Sequence, residues 1–93
     1  MSIKQKIALL SWFILECKYV YYHNTNLRGV SDAFYDKYED VYKLLCKQES
    51  VIPTATEMVG FDFERPSCKL VVELVNKNKG ISKKLIEKIK EIL

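Results

Sequence analysis

Residues 21–42 read YYHNTNLRGVSDAFYDKYEDVY, and this stretch decides how the chain is built. Tyr-Tyr-His closes one helical pattern, and Asn24 to Gly29 supplies the turn-forming residues of a loop. Ser31 is a natural N-cap for a second helix running to about Glu49, with Asp32 and Asp36 at the positive end of its dipole. At about 100° per residue, Phe34, Tyr38, Val41 and Leu45 fall within about 60° of one another, which predicts the buried stripe. Asp32, Tyr35, Asp36 and Glu39 fall on the opposite arc. On this reading Tyr35 lies outside the core stripe, standing between two carboxylates.

Helical spacing extends outward on both sides. From about residue 2 to 22, Ile7, Leu10, Ile14, Cys17 and Tyr21 recur on one face, and Leu9, Trp12, Phe13 and Val20 widen it into a helix covered on most sides. Pro53 closes the second helical unit. Residues 54–66, TATEMVGFDFERP, read as an irregular segment packed by Met58, Val59, Phe61 and Phe63. The run CKLVVELV has strand-like residues but no second strand candidate to pair with, so a helix after Pro66 and Ser67 is expected. Gly80 ends it, and Ile81 or Ser82 opens a last helix with the stripe Ile81, Leu85, Ile86, Ile89 and Leu93. The expected fold is all-α: one small domain over 1–93, with four to five helices.

Composition narrows the classes of function. The chain has 93 residues, three Gly and two Pro, which is enough for one modest core. Net charge is +3. Residues 76–93 carry six Lys against two Glu, so the positive charge is concentrated in the last helices. Cys17, Cys46 and Cys68 are odd in number and far apart, and with one His they make neither a disulfide scaffold nor a zinc set. Buried, reduced thiols and a cytoplasmic location are expected. MSIKQKIALLSWFIL resembles the first parts of a signal peptide, but no small-residue cleavage site follows. Its apolar run is also too short to span a bilayer, so no membrane partner is expected.

The candidate site residues are Tyr22, His23, Asp32, Tyr35 and Asp36. Aromatic faces offer stacking area and a negative quadrupole to a flat cation. Carboxylates accept hydrogen bonds from ribose hydroxyls or an amide, and an imidazole donates to a phosphate. Together these groups suit nicotinamide mononucleotide, with its cationic ring, ribose and phosphate. They suit catalysis poorly, because no nucleophile or metal set accompanies them.

YYH, a short loop, VSDAFYDKYEDVYKLL, Pro53 and TATEMVG together resemble the N-terminal Ia domain of bacterial-type NAD-dependent DNA ligases. The resemblance spans 19–60 as an Ia-like core and leaves the helices of 67–93 without an assigned role. It implies that Tyr22 and Tyr35 pack on or near the nicotinamide, that His23 approaches the phosphate, and that Asp32 and Asp36 bind the ribose or amide. The chain contains no K-x-D-G lysine motif, so no adenylation and no enzymatic activity on its own is expected. KGISKKLIEKI is similar to half of a helix-hairpin-helix motif, with Ser82 in place of the second glycine. A solvated lysine face is the preferred reading there, and DNA is not expected as a partner.

Three uses follow for such a grip. One is sequestration of NAD, nicotinamide mononucleotide or an ADP-ribose-type molecule, as in a viral anti-defence protein. A second is a detached NAD-binding subunit of a split ligase, docked on a separate adenylation domain. The third is a ligand-free interaction module. Tight binding needs the rest of the pocket from the tail or from a homodimer, with Phe61, Phe63 and Arg65 as candidates and Arg65 suited to a phosphate.

Overall fold

In a computed structural model, which describes residues 1–23, 26–58 and 60–92, the chain forms five helices and no strand among those residues. They are α1 (Ile3–His23), α2 (Asp32–Gln48), α3 (Thr54–Glu57), α4 (Pro66–Asn78) and α5 (Lys83–Lys90). The expected all-α single domain is what the chain adopts.

The first helix is the hub. Leu10 and then every residue from Phe13 to Val20 are buried, because α2, α3, α4 and α5 all pack on α1. Phe13 anchors the α2 side with edge-to-face contacts to Phe34 and Tyr38, at centroid distances of 5.8 and 6.4 Å. Ser31 caps α2 as expected, its Oγ accepting from the Phe34 amide at 3.1 Å. The three cysteines are free and buried, and burial pushes the Cys17 thiol well above its usual range. Among the described residues no helix is long and apolar enough to cross a membrane.

The structure corrects the expected face of α2. Its fully buried residues are Tyr38, Tyr42 and Cys46, and Phe34, Val41 and Leu45 are only half-buried. Tyr42 and Cys46 lie further round the helix, so the buried stripe is turned toward Tyr35. That residue is half-buried and packs against the core, contrary to the expectation. The cause is the hydroxyl of Tyr42, which is satisfied inside the fold by accepting from the Ala55 amide at 3.3 Å.

Segment 54–66 is also not wholly irregular, since Thr54–Glu57 forms one helical turn that buries Ala55. Phe61 is buried and Met58 half-buried, whereas Phe63 is exposed; Val59 lies outside the described residues. Ile81, just ahead of α5, and Leu85 and Ile89 on it are buried as expected, and Ile86 is half-buried. Ile92 supplies the last buried position, while Leu93 lies outside the described residues.

The joint between α4 and α5 ties the two halves of the chain together. Lys79 takes the left-handed conformation that ends α4, and the Gly80 amide donates back to the Val75 carbonyl at 2.9 Å. Gly80 itself has φ +144°, and a Cβ there would lie 2.4 Å from the Arg28 carbonyl oxygen. That closeness makes a short backbone ladder. The Arg28 amide donates to the Lys79 carbonyl at 3.1 Å, the Ile81 amide donates to Arg28 at 2.9 Å, and the Arg28 guanidinium donates to the Ile81 carbonyl at 2.9 Å.

One member of the buried set is a carboxylate. Glu16 is 3% exposed; burial raises its pKa, opposed by the hydrogen bond from the Trp12 indole and by the nearby Ser82 amide. The folded state therefore holds this proton more tightly than the unfolded chain. The sign follows directly: stability is fullest below the ordinary carboxyl value near 4.5 and is lost as pH rises through the folded value. Glu16→Gln is expected to be more stable than wild type at neutral pH, with the difference shrinking toward pH 4. Thermal melts across that range check it, and a gap that widens on acidification contradicts it.

Candidate functional site

The end of α1, the first half of α2, and α3 with the segment after it enclose a cleft of about 580 Å³. Its lining is Lys18 and Tyr22 from α1, Tyr35 and Glu39 from α2, and Thr56, Met58 and Gly60. This volume lies within the range of about 300–1,000 Å³ typical of small-molecule sites.

Each wall has a local cause. Tyr22 is 73% exposed, at the point where α1 runs beyond the core. Tyr35 is backed by Tyr21, whose ring meets it edge-on with centroids 6.2 Å apart. The Tyr21 hydroxyl donates to the Val30 carbonyl and accepts from the Val30 amide at 3.2 Å, fixing the chain just ahead of the Ser31 cap. A Cβ at position 29 would lie 3.1 Å from the Tyr21 ring, tighter than ordinary contact. Tyr21 thus builds the site without lining it.

Two charged groups of opposite sign share the cleft. The Tyr35 hydroxyl donates to Glu39 Oε2 at 2.8 Å, and Lys43 approaches Oε1 at 3.5 Å. Burial and the Glu39 carboxylate both push the Tyr35 phenol upward, so Tyr35 stays a neutral donor. Lys18 is buried, and its ammonium donates to the Met58 carbonyl at 2.8 Å. Burial lowers its pKa and the Glu39 charge partly restores it. The TATEM segment is therefore held to α1 by a buried lysine, through a contact spanning 40 positions of sequence.

Of the five residues expected to form the site, Tyr22 and Tyr35 meet at the cleft. Asp32 and Asp36 are exposed on the adjoining strip of α2 and are not among its lining residues. His23 joins a separate aromatic group, stacked on Tyr19 with centroids 6.0 Å apart and edge-on to Phe63 at 4.7 Å. Arg65 is exposed at the start of α4 and does not line the cleft either.

Lys18 and Glu39 were not singled out from sequence, although the spacing held a sign of both: each lies one helical turn from a tyrosine of the site, Tyr22 and Tyr35 respectively. Among the described residues no group of three or more His, Cys, Asp or Glu is placed to hold a metal ion. The chain was compared with protein-family models, curated proteins and solved structures, and none matches.

Proposed function

We propose that this chain is a non-catalytic module that binds the nicotinamide-nucleotide part of NAD or of an NAD-derived molecule and holds it out of circulation. The observation that carries the reading is the pair Tyr22 and Tyr35 on one cleft, with the Glu39 carboxylate fixed beside Tyr35. A pyridinium ring between two phenols gains stacking and cation–π attraction, and a half-buried carboxylate next to it favours the positive charge. Lys18, the one cation among the described lining residues, is offered to a phosphate. A nucleotide leaving the cleft along α2 meets Asp36 and Asp32, which would accept from ribose hydroxyls. The resemblance to the ligase Ia domain points to the same half of NAD.

Calorimetric titration tests this. Nicotinamide mononucleotide and NAD are expected to bind, and ADP-ribose, which lacks the pyridinium, to bind at least tenfold more weakly. No heat from any of the three at millimolar ligand overturns the reading. Glu39→Gln keeps an acceptor for Tyr35 but removes the charge, and should weaken nicotinamide mononucleotide by about three- to tenfold. Asp36→Ala, at the exposed rim, should cost less. The reverse order would move the ring out of the cleft and onto the acidic strip.

A second reading, the detached subunit of a split ligase, is favoured by the exposed apolar side chains Leu44, Val51 and Ile52 in the stretch that ends α2. Under it, an adenylation domain of a bacterial-type ligase self-adenylates with NAD only when this chain is added. Adenylation that proceeds equally without the chain removes that reading.

A further inference from the structure

A second cavity, of about 260 Å³, lies where α1, α4 and α5 meet, and it shares no lining residue with the cleft. One leucine from each of the three helices walls it, and Trp12, Glu16, Asn78, Ser82, Lys84 and Lys88 supply its polar groups. Glu16 Oε2 accepts from the Trp12 indole N–H at 2.5 Å, whereas Oε1 is fully buried without a hydrogen-bond partner among the described residues. A buried acceptor that meets no donor is costly, and more so when it is charged. Lys84 and Lys88 are exposed at the same cavity, and none of the described ion pairs joins either to Glu16. The cavity thus sets a buried carboxyl group within against ammonium groups at its lip.

We propose that this cavity binds a small zwitterion, seating an ammonium or guanidinium on Glu16 Oε1 and a carboxylate or phosphate against Lys84 and Lys88. A simple cation would meet two lysines on entry, and a simple anion would meet the carboxylate, so neither complements both ends. The volume points to a ligand the size of an amino acid: it falls just below the lower limit of about 300 Å³ for drug-sized pockets and is several times the roughly 30 Å³ of one water. Because Oε1 is covered, entry requires the lining side chains to change rotamer. Those side chains include the indole bonded to Glu16.

Trp12 is the single tryptophan of the chain, so its fluorescence reports this cavity alone. Arginine and lysine serve as zwitterionic probes, agmatine as the cation without a carboxylate, and succinate as the anion without an amine. The expected result is a saturable change with arginine or lysine at millimolar concentration, at least tenfold weaker with agmatine and with succinate. Glu16→Gln, which keeps an acceptor for the indole, should abolish the response. The exposed pair Lys84→Ala and Lys88→Ala should reduce arginine to the level of agmatine, and it carries the test if the Glu16 variant does not fold. No saturable change with either zwitterion overturns the proposal. So does an equal response to agmatine and arginine, or one that survives both sets of substitutions.

Discussion

Gly80→Ala is expected to lower the thermal midpoint by about 10 °C or more. The added methyl carbon would sit 2.4 Å from the Arg28 carbonyl oxygen and 2.7 Å from the Arg28 nitrogen. Backbone atoms of a paired segment cannot rotate aside as a flexible side chain can. The residue also holds φ +144°, a region L side chains rarely adopt. Strain and the loss of the Arg28 ladder together give about 2–4 kcal/mol, a large part of the stability of a domain this size. Calorimetric melting of the variant measures it. A midpoint within about 2 °C of wild type would mean that the joint can be remade without its close approach.

Tyr35→Ala is the larger functional lesion. It removes the ring that forms one wall of the cleft and leaves Glu39 without its 2.8 Å donor. Losing one stacked, cation-facing aromatic should cost about 1–2 kcal/mol of binding, a drop in affinity for nicotinamide mononucleotide of about five- to thirtyfold. The side chain is also half-buried against the core, so some stability is lost with it. Tyr35→Phe separates the two effects: it keeps the ring and loses only the hydroxyl, and should bind within about threefold of wild type. Titration of both variants at a temperature where both are folded decides the matter. If Phe is as damaged as Ala, the hydroxyl pairing with Glu39, and not the ring, carries recognition.

The parts of this fold that were legible in sequence are the ones whose pattern had room to repeat. Helices α1, α2, α4 and α5 run for two turns or more, and Ser31 and Pro66 mark starts that the structure keeps. The α3 turn has four residues, too few for any periodicity to speak. The face of α2 was misjudged because tyrosine belongs to both classes. The hydroxyl of Tyr42 finds a backbone donor inside the fold, which only the position of Ala55 reveals. At the site, Tyr22 and Tyr35 could be read from their neighbours, whereas the burial of Lys18 there, and of Glu16 in the second cavity, could not. Charged side chains within a helix signal solvent by default, and burial is a property of what packs over them. His23 went the other way, since the rings that draw it from the cleft lie far along the chain, at Phe61 and Phe63.

The contact between Arg28 and Gly80 has a dynamic corollary. The strip of backbone that leads from α1 into α2 is clasped by the hinge of the last two helices, so neither can loosen without releasing the other. Local opening near the cleft is thereby coupled to fraying at the opposite terminus, in one cooperative unit. A molecule that steadies α2 would also quieten the α4–α5 hairpin at a distance, and slower hydrogen exchange at the Ile81 amide would be the trace it leaves.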